Sequence, residues 1–332
     1  MIKSNKTNNK TLSINKKVSK VLILIILIIV YFLICEQIIR FENFGTNSFS
    51  PRKMENIRHV STYKFASGCD LNANFKDYVK GAWTETNSMG LRDEEYSLEK
   101  ENGTFRIAII GDSTSNGIGV KIEDVYHTIF EDKLNNRSTN KSFEVISLSR
   151  GGIQNDENQT CYFKKINDSL HYDVDMVIIQ VWKGGGNWFN NNKSLEKIEN
   201  HTKYSYMVFM FFNEDEKIIK KYQNLTSTPI ISLDVEHNNK DNIFPADWHP
   251  NEKIHKKYAE SLYNYFIENE DDIYNKTKNL EKIDNLPELV KPPKAWPIKR
   301  KSYFLKSYYY EKLKSKSKNT LKVLRKNLTN FY

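Results

Sequence analysis

The chain of 332 residues is 39% hydrophobic and 13% aromatic, which suffices for a sizeable folded core and excludes an intrinsically disordered protein. Its net charge of +9 lies at the two ends: residues 1–20 carry +6 and residues 291–332 carry +12, which leaves −9 for residues 21–290. A body this acidic argues against a nucleic-acid-binding protein, and we expect no nucleic-acid partner.

The first predicted element is an apolar helix near the N-terminus. Residues 21–35 form an unbroken apolar run that extends to Ile39, and at ~1.5 Å per residue this length just spans a hydrocarbon layer of ~30 Å. We therefore predict a basic cytoplasmic segment over residues 1–20 and a single-pass transmembrane anchor over residues 21–39. Because six lysines precede the run and Arg40 alone follows it closely, the N-terminus is expected in the cytoplasm and the catalytic domain outside. The competing interpretation, a cleaved signal peptide, lacks an Ala-x-Ala-like site after the run.

Two cysteines, Cys69 and Cys161, follow the anchor, whereas Cys35 lies within it. Outside the cytoplasm the two can form a disulfide. Two buried free thiols are the alternative, and this is the interpretation that we prefer at this stage. No Cys/His spacing indicates a metal site, and no cofactor is expected.

Strands and helices alternate from residue 105 onward, after a linker and irregular lead-in over residues 40–104. Strands are predicted at 105–110, 143–148, 174–181, 204–212 and 229–235, with helices at 125–134, 158–166 and 215–222. The first strand is a short run, apolar apart from Arg106, that ends at Gly111, which is typical of a buried parallel strand. The alternation predicts a three-layer α/β/α sandwich with a five-stranded, parallel, flavodoxin-like sheet over residues 105–270.

A last helix and a basic tail complete the predicted organisation. Pro250 is expected in the first turn of that helix, where apolar residues recur every four positions at Ile254, Tyr258, Leu262 and Phe266 and would pack on the sheet. Residues 271–332 form a Lys/Tyr-rich extension with a candidate amphipathic helix around residues 303–328. This extension is suited to contact anionic lipid or acidic polysaccharide, and a solvated tail is the alternative.

Polar residues follow the predicted strands at the edge where ligands bind in open parallel sheets. They are Gly111-Asp112-Ser113-Thr114 after the first strand, Arg150-Gly151-Gly152 after the second, Gly184-Gly185-Gly186-Asn187 after the third, and Asp247-Trp248-His249 after the fifth. Together they offer what acyl transfer needs: a nucleophilic hydroxyl, a base, a carboxylate to orient the base, and donors for an oxyanion.

Each of these groups also has a structural interpretation. Gly-Asp-Ser is compatible with an ordinary turn and helix cap, since Asp and Ser are both good capping residues. Asp247 and His249 are compatible with a helix start completed by Asn251. Asn187 lies in an Asn-rich stretch, and Gly152 is compatible with a simple tight turn.

Over about residues 86–268 the chain resembles the SGNH/GDSL hydrolase family, in its membrane-anchored or secreted branch. The resemblance rests on the blocks Asn87-Ser88-Met89-Gly90-Leu91-Arg92, Phe105-Arg106-Ile107, Gly111-Asp112-Ser113 and His249-Pro250-Asn251. It implies that Ser113 is the nucleophile, with His249 as the base and Asp247 as the acid that orients it. It also implies an oxyanion hole formed by Ser113, Gly152 and Asn187.

The chain departs from the family pattern at two positions. Trp188 directly follows Asn187, where family members often carry Asp, and Ala246 occupies the position three residues before His249 at which the family acid most often lies. Asp247, two residues before the histidine, is therefore the expected acid.

The expected function is that of a membrane-anchored extracytoplasmic serine esterase that removes or transfers a small O-acyl group, with an acylated glycan as the substrate. Trp182, Trp188 and Trp248 lie near strand ends and offer stacking faces to a sugar, although three core tryptophans would give the same pattern. A lipid esterase acting beside its anchor is the second hypothesis. A catalytically degenerate member that acts as a binding protein is the third, and the altered block around Trp188 favours it.

Overall fold

The computed structural model describes residues 5–58, 66–153, 160–181, 192–212, 214–283, 286 and 288–292. Its helices are α1 (Asn5–Phe44), α2 (Pro51–Arg58), α3 (Tyr126–Asn135), α4 (Thr160–Leu170), α5 (Asn192–His201), α6 (Glu216–Gln223), α7 (Glu252–Glu268) and α8 (Glu270–Thr277). Its strands are β1 (Ala66–Ser67), β2 (Asp70–Leu71), β3 (Lys76–Val79), β4 (Ala82–Glu85), β5 (Thr104–Ile110), β6 (Ser142–Ser147), β7 (Met176–Gln180), β8 (Tyr206–Phe212) and β9 (Ile230–Leu233). Single 3-10 turns lie at Gly45–Phe49, Ile122–Asp124 and Asn239–Asp241.

The five-stranded parallel sheet expected from the sequence is confirmed, in the order β6-β5-β7-β8-β9. β5 comes first in the chain among these strands, yet it lies between β6 and β7. The connection that leaves β5 therefore runs to β6 on one side of β5, and the connection that leaves β6 runs to β7 on the other side. The two diverge at the carboxyl end of β5. This is a topological switch point, the place where open α/β sheets bind ligands.

The helices form a layer on each face of the sheet, which confirms the three-layer sandwich. One apolar cluster joins one face of the strands to α3, α7 and α8 through Phe130, Tyr258, Phe266 and Ile273. A second cluster joins the other face to α4, α5 and α6 through Ile166, Ile198 and Ile219. Helix α5 was not predicted, because Leu195 and Ile198 are its only two core positions and give too weak a period.

Helix α1 carries the apolar run, and it is long and apolar enough to cross a membrane. Its side chains from Val18 to Ile34 are exposed, so it is not a core helix of the body. The helix continues past the predicted end of the span at Ile39 and ends at Phe44.

The residues after the span pack against the body. The ring of Phe44 lies 6.0 Å from that of Phe244, and the amide of Ala246 donates to the carbonyl of Asn43 at 3.2 Å. Met54 of α2 is buried. The segment over residues 40–104, expected as a linker and lead-in, thus contains a packed stem, residues 40–58, followed by the hairpins β1–β2 and β3–β4.

Cys69 and Cys161 form a disulfide, so the preference for free thiols was wrong. Cys69 lies in the turn between β1 and β2, and Cys161 lies in the first turn of α4. The two positions are 92 residues apart in the chain, and only the fold brings their Cα atoms to 5.0 Å. A sequence without a structure cannot supply that distance.

Two boundaries near the C-terminus differ from those predicted. The side chain of Asn251 accepts hydrogen bonds from the amides of Lys253 and Ile254 and caps α7, so Pro250 precedes the cap instead of lying in the first turn. Helix α8 lies beyond the expected boundary at residue 270, and its Ile273 is buried in the core. The candidate amphipathic helix around residues 303–328 lies outside the described residues.

Candidate active site

Ser113 lies just beyond the carboxyl end of β5, at the switch point of the sheet. The strand exits through Gly111, where an added Cβ would stand 2.3 Å from Oγ of Ser115 and 2.4 Å from Oε1 of Gln180. The Ser115 hydroxyl donates to that same Gln180 oxygen at 2.6 Å, and an added Cβ would also stand 2.6 Å from Cβ of Ser115. Any larger residue at position 111 would therefore displace this hydrogen-bonded pair.

Asp112 holds the turn that presents Ser113. Its amide donates to Oε1 of Gln180 at 2.9 Å, and its own Oδ1 accepts the amide of Thr114 at 2.7 Å. Complete burial raises the pKa of Asp112, despite these hydrogen bonds. The middle residue of the Gly-Asp-Ser block therefore fixes the backbone around the serine.

Arg92 stabilises the loop that follows Ser113. Its guanidinium, 1% exposed, donates to the carbonyl of Asn116 at 2.8 Å and also to the carbonyls of Gly117 and Val120. The first block of the family resemblance, which ends at Arg92, thus has a clear structural task. It fixes the backbone after Ser113.

The glycine turn after β6 lies against the serine. A Cβ added at Gly151 would be 3.6 Å from Cβ of Ser113, and Gly152 has φ = 78°, which favours glycine. Within the described residues, the amides of Ser113 and Gly152 donate no hydrogen bond. Two unpaired N–H groups beside a serine hydroxyl are suited to bind an oxyanion.

His249 and Asp247 form the next part of the site. Nδ1 of His249 contacts Oδ1 of Asp247 at less than the usual hydrogen-bond length, and the backbone amide of His249 donates to the same Oδ1 at 2.9 Å. Nζ of Lys80 lies 2.6 Å from Oδ2 of Asp247 and 3.1 Å from Nδ1 of His249. Burial alone would raise the pKa of Asp247, but the hydrogen bond and charge of His249, together with the charge of Lys80, hold it well below the ordinary value.

Packing links the histidine loop to the serine loop. A Cβ at Gly119 would stand 2.3 Å from Cδ1 of Ile243, so the two loops touch. The amide of Ile243 in turn donates to the carbonyl of His249 at 3.0 Å. Ser113 and His249 are both about 5% exposed.

Nε2 of His249 is buried and has no hydrogen-bond partner among the described residues. Ser113 and His249 are therefore not joined by a hydrogen bond in this structure. The opposite ring nitrogen is held by Asp247, so the unpartnered nitrogen is the one that remains to accept a proton.

Trp248 covers one face of the His249 ring. The two rings stack with centroids 4.0 Å apart and an interplanar angle of 25°, and Trp248 remains 47% exposed. A tryptophan expected to stack on a substrate thus uses one face to hold the imidazole plane. Trp182, Trp188 and Asn187 lie outside the described residues.

Lys80 and Gln180 were missed by the sequence analysis. Gln180 is a polar residue at the end of an otherwise apolar strand, which is a usable signal for a side chain at the ligand-binding edge. Lys80-Gly81 joins two short alternating runs and indicates a hairpin turn, but nothing in the sequence shows what the turn touches. Among the described residues, no three His, Cys, Asp or Glu side chains gather as a metal site.

No protein-family model matches the chain, and neither does any of the curated proteins searched. Among solved structures, the chain is similar to the psychrotrophic esterase EstA from Pseudoalteromonas sp., with a TM-score of 0.38 and 14% identity over 50% of this chain and 98% of that one. It is similar also to a two-domain esterase active on acetylated mannans, with a TM-score of 0.38 and 16% identity over 56% of this chain and 52% of that one. A lipase from a goat rumen metagenome matches with a TM-score of 0.31 and 12% identity over 48% of this chain and 96% of that one.

Proposed function

We propose that the protein is a serine esterase of the SGNH/GDSL type, with Ser113 as the nucleophile, His249 as the base and Asp247 as its orienting acid. The observation that carries this proposal is the state of His249. One ring nitrogen is held by a carboxylate, while the other is buried and has no hydrogen-bond partner among the residues that the structure describes. A base held in this way is what a serine hydroxyl needs to become nucleophilic.

The chemistry follows the geometry. Oγ of Ser113 attacks the ester carbonyl carbon as its proton passes to Nε2 of His249, and the carbonyl oxygen becomes an oxyanion. The free amides of Ser113 and Gly152 bind that oxyanion, with Asn187 proposed as a third donor on the family resemblance alone. The imidazolium then returns its proton to the leaving alkoxide, which departs as an alcohol and leaves an acyl-serine. Water, or a second alcohol in a transfer reaction, attacks the acyl-serine by the same route.

The proposed location is the outer side of a membrane, with α1 as an uncleaved single-pass anchor and the N-terminus in the cytoplasm. The exposed apolar face of α1 and the lysines before it support this orientation. The Cys69–Cys161 disulfide adds support from an independent part of the fold, because disulfides persist in oxidising compartments and are rare in the cytosol.

The proposed substrate is a small O-acyl group, such as acetyl, on a glycan. The uncovered part of Trp248, beside the base, offers an apolar surface on which a sugar ring can rest. The basic C-terminal extension would also suit contact with an acidic polysaccharide. Hydrolysis and transfer share every residue of the mechanism and differ only in the acceptor.

Labelling with a fluorophosphonate tests the serine chemistry. The full chain is expected to form a covalent adduct that is absent in Ser113→Ala, with Ser149→Ala, a buried serine at the end of the next strand, as the matched control. If the parent protein takes up no label, or if Ser113→Ala is labelled as well as the parent, the serine-enzyme proposal fails. Glycan binding without labelling would favour the degenerate binding protein.

A lipid esterase is the second candidate, because the packed stem ties the anchor to the loop before Asp247 and keeps the site close to the membrane. Comparing 4-nitrophenyl acetate with a long-chain ester separates the two candidates. A strong preference for the long chain would exclude the glycan proposal.

A further inference from the structure

We propose that Lys80 is a positioning residue of the proposed esterase: it holds Asp247 against His249 and so keeps the imidazole in a fixed orientation and tautomer. The inference rests on the proposed function and adds a residue that the family resemblance does not supply. It starts from two contacts of one ammonium group, 2.6 Å to Oδ2 of Asp247 and 3.1 Å to Nδ1 of His249.

The backbone of Lys80 has a conformation that is energetically unfavourable for a lysine. Lys80 and Gly81 form the two-residue turn between β3 and β4, with φ values of 48° and 91°. A turn with both values positive favours Asn, Asp or Gly at its first position, so a lysine there is strained. Strain of this kind persists only where the surroundings hold it, and it clusters at functional sites.

The surroundings do hold the turn. A Cβ at Gly81 would stand 3.2 Å from Cγ1 of Ile57 and 3.7 Å from Cζ of Phe244, so the tip of the hairpin is wedged between the stem and the loop before Asp247. The side chain of Lys80 is about a quarter exposed. The fixed backbone of the turn therefore places the ammonium group of Lys80 against the Asp247 carboxylate.

The proton positions follow from what each group can donate. An ionised carboxylate only accepts, and an ammonium only donates. The close approach of Nδ1 to Oδ1 needs a proton between them, which must sit on Nδ1. Lys80 then donates to Oδ2, and its contact with Nδ1 is between a cation and a ring that already carries its proton.

This arrangement has two consequences. Both oxygens of Asp247 are occupied, so the carboxylate is held against the imidazole. The ring of His249 is thereby kept in one orientation and one tautomer, with its proton on Nδ1.

The other titratable groups around His249 leave Lys80 and Asp247 as its two charged contacts. Asp112, on the serine loop, interacts with His249 through its charge, and burial raises the pKa of Asp112. His255, on α7, is neutral in the physiological range because burial lowers its pKa to about 3. Neither makes a direct contact with the His249 ring in the described structure, whereas Lys80 does.

The test compares Lys80→Met with Lys76→Met in the full chain, using 4-nitrophenyl acetate between pH 5 and 9. Lys76 lies on the same hairpin and pairs with the exposed Glu85, so its loss leaves the site untouched. Lys80→Met is expected to lower kcat with little change in KM, because an Asp247 carboxylate held only by His249 orients the imidazole less firmly. Lys80→Arg keeps the charge and is expected to restore kcat, and Lys80→Gln, which also removes the charge, is expected to behave like Lys80→Met.

A second readout does not depend on activity. The NMR resonance of the proton on Nδ1 of His249, assigned by its loss in His249→Gln, is expected to change in Lys80→Met and Lys80→Gln, because the carboxylate that accepts this proton is held less firmly. An unchanged resonance and an unchanged kcat in both variants would overturn the role of Lys80 while leaving the esterase proposal intact. A parent protein with no ester hydrolysis, but with a changed resonance in the two variants, would sink the esterase proposal and keep the contact of Lys80 with Asp247.

Discussion

At the residue scale, the site combines one nucleophile candidate with a base whose tautomer is set by its neighbours. Asp247 accepts from His249 with one oxygen and from Lys80 with the other. This division determines what an amide at position 247 would do. Its oxygen would turn to the ammonium of Lys80, and its NH2 group would face Nδ1 of His249.

Asp247→Asn is therefore expected to force the proton of His249 onto Nε2, where it blocks transfer from Ser113. The expected loss in kcat is on the order of 10³- to 10⁴-fold, with little change in fold. Ester hydrolysis and circular dichroism of the full chain measure the two effects. Asp234→Asn, at an exposed position close by in the chain, serves as the control. Activity within a few fold of the parent would show that Asp247 does not orient the base.

The sequence singled out Ser113, Asp247 and His249 as site candidates, because the spacing after each predicted strand is a local property of the chain. Lys80 could not be identified from the sequence, because its contact with Asp247 joins residues 167 positions apart and Lys80 lies in a hairpin turn. The roles of Ser113, Gly152, Asp247, His249 and Asn187 stay predictions until the labelling and substitution experiments are done.

At the element scale, the strands were predictable to within about two residues because the central ones are buried on both faces and mostly apolar. The way in which the β6 edge of the sheet is covered could not be predicted from the sequence. β6 is an edge strand, and its outward amides at Phe143, Val145 and Ser147 donate to Asn135, Glu131 and Asp93. Side chains from α3 and from the loop before β5 thus cover an edge that would otherwise be open to another strand.

Two of these capping carboxylates predict a pH-dependent stability. Burial raises the pKa of Asp93 to about 7 and that of Glu131 to about 8. The pKa values of these two carboxyls are higher in the folded state than in the unfolded state. Their contribution to the stability of the folded state is therefore complete below about pH 4 and is lost as the pH rises through 7 to 8. Each group can change the free energy of unfolding by at most about 1.4 kcal/mol per pH unit.

We therefore expect a higher thermal unfolding midpoint at pH 5 than at pH 8, measured on the full chain in detergent. Glu131→Gln keeps an oxygen for the amide of Val145 but cannot ionise, so its midpoint should fall less over the same interval. Glu196→Gln, on the exposed face of α5, should follow the parent. A Glu131→Gln protein with the parent's full pH dependence would contradict the raised pKa of Glu131.

At the scale of the whole molecule, the chain joins an apolar helix to the α/β body through a packed stem instead of a free linker. The sequence suggested a linker because residues 40–58 have no long apolar period. Their contacts are made one at a time, by Phe44 on Phe244, by Gly45 beside Pro245 and by Ile57 beside Gly81. Such contacts depend on the position of the 244–247 loop, which no local pattern reveals.

Removal of the stem is therefore expected to weaken the body and the site together. A chain of residues 36–332 should keep the thermal midpoint and the ester hydrolysis of the full chain, because it loses only apolar helix that is exposed in the structure. A chain of residues 59–332 loses the burial of Met54, worth roughly 2–3 kcal/mol, and should unfold about 5–10 °C lower. Its kcat should also fall, because Phe244 and the hairpin tip that carries Lys80 lose the surface that fixes them against Asp247. Equal midpoints for the two chains would mean that residues 36–58 act only as a tether, and that the site is built without them.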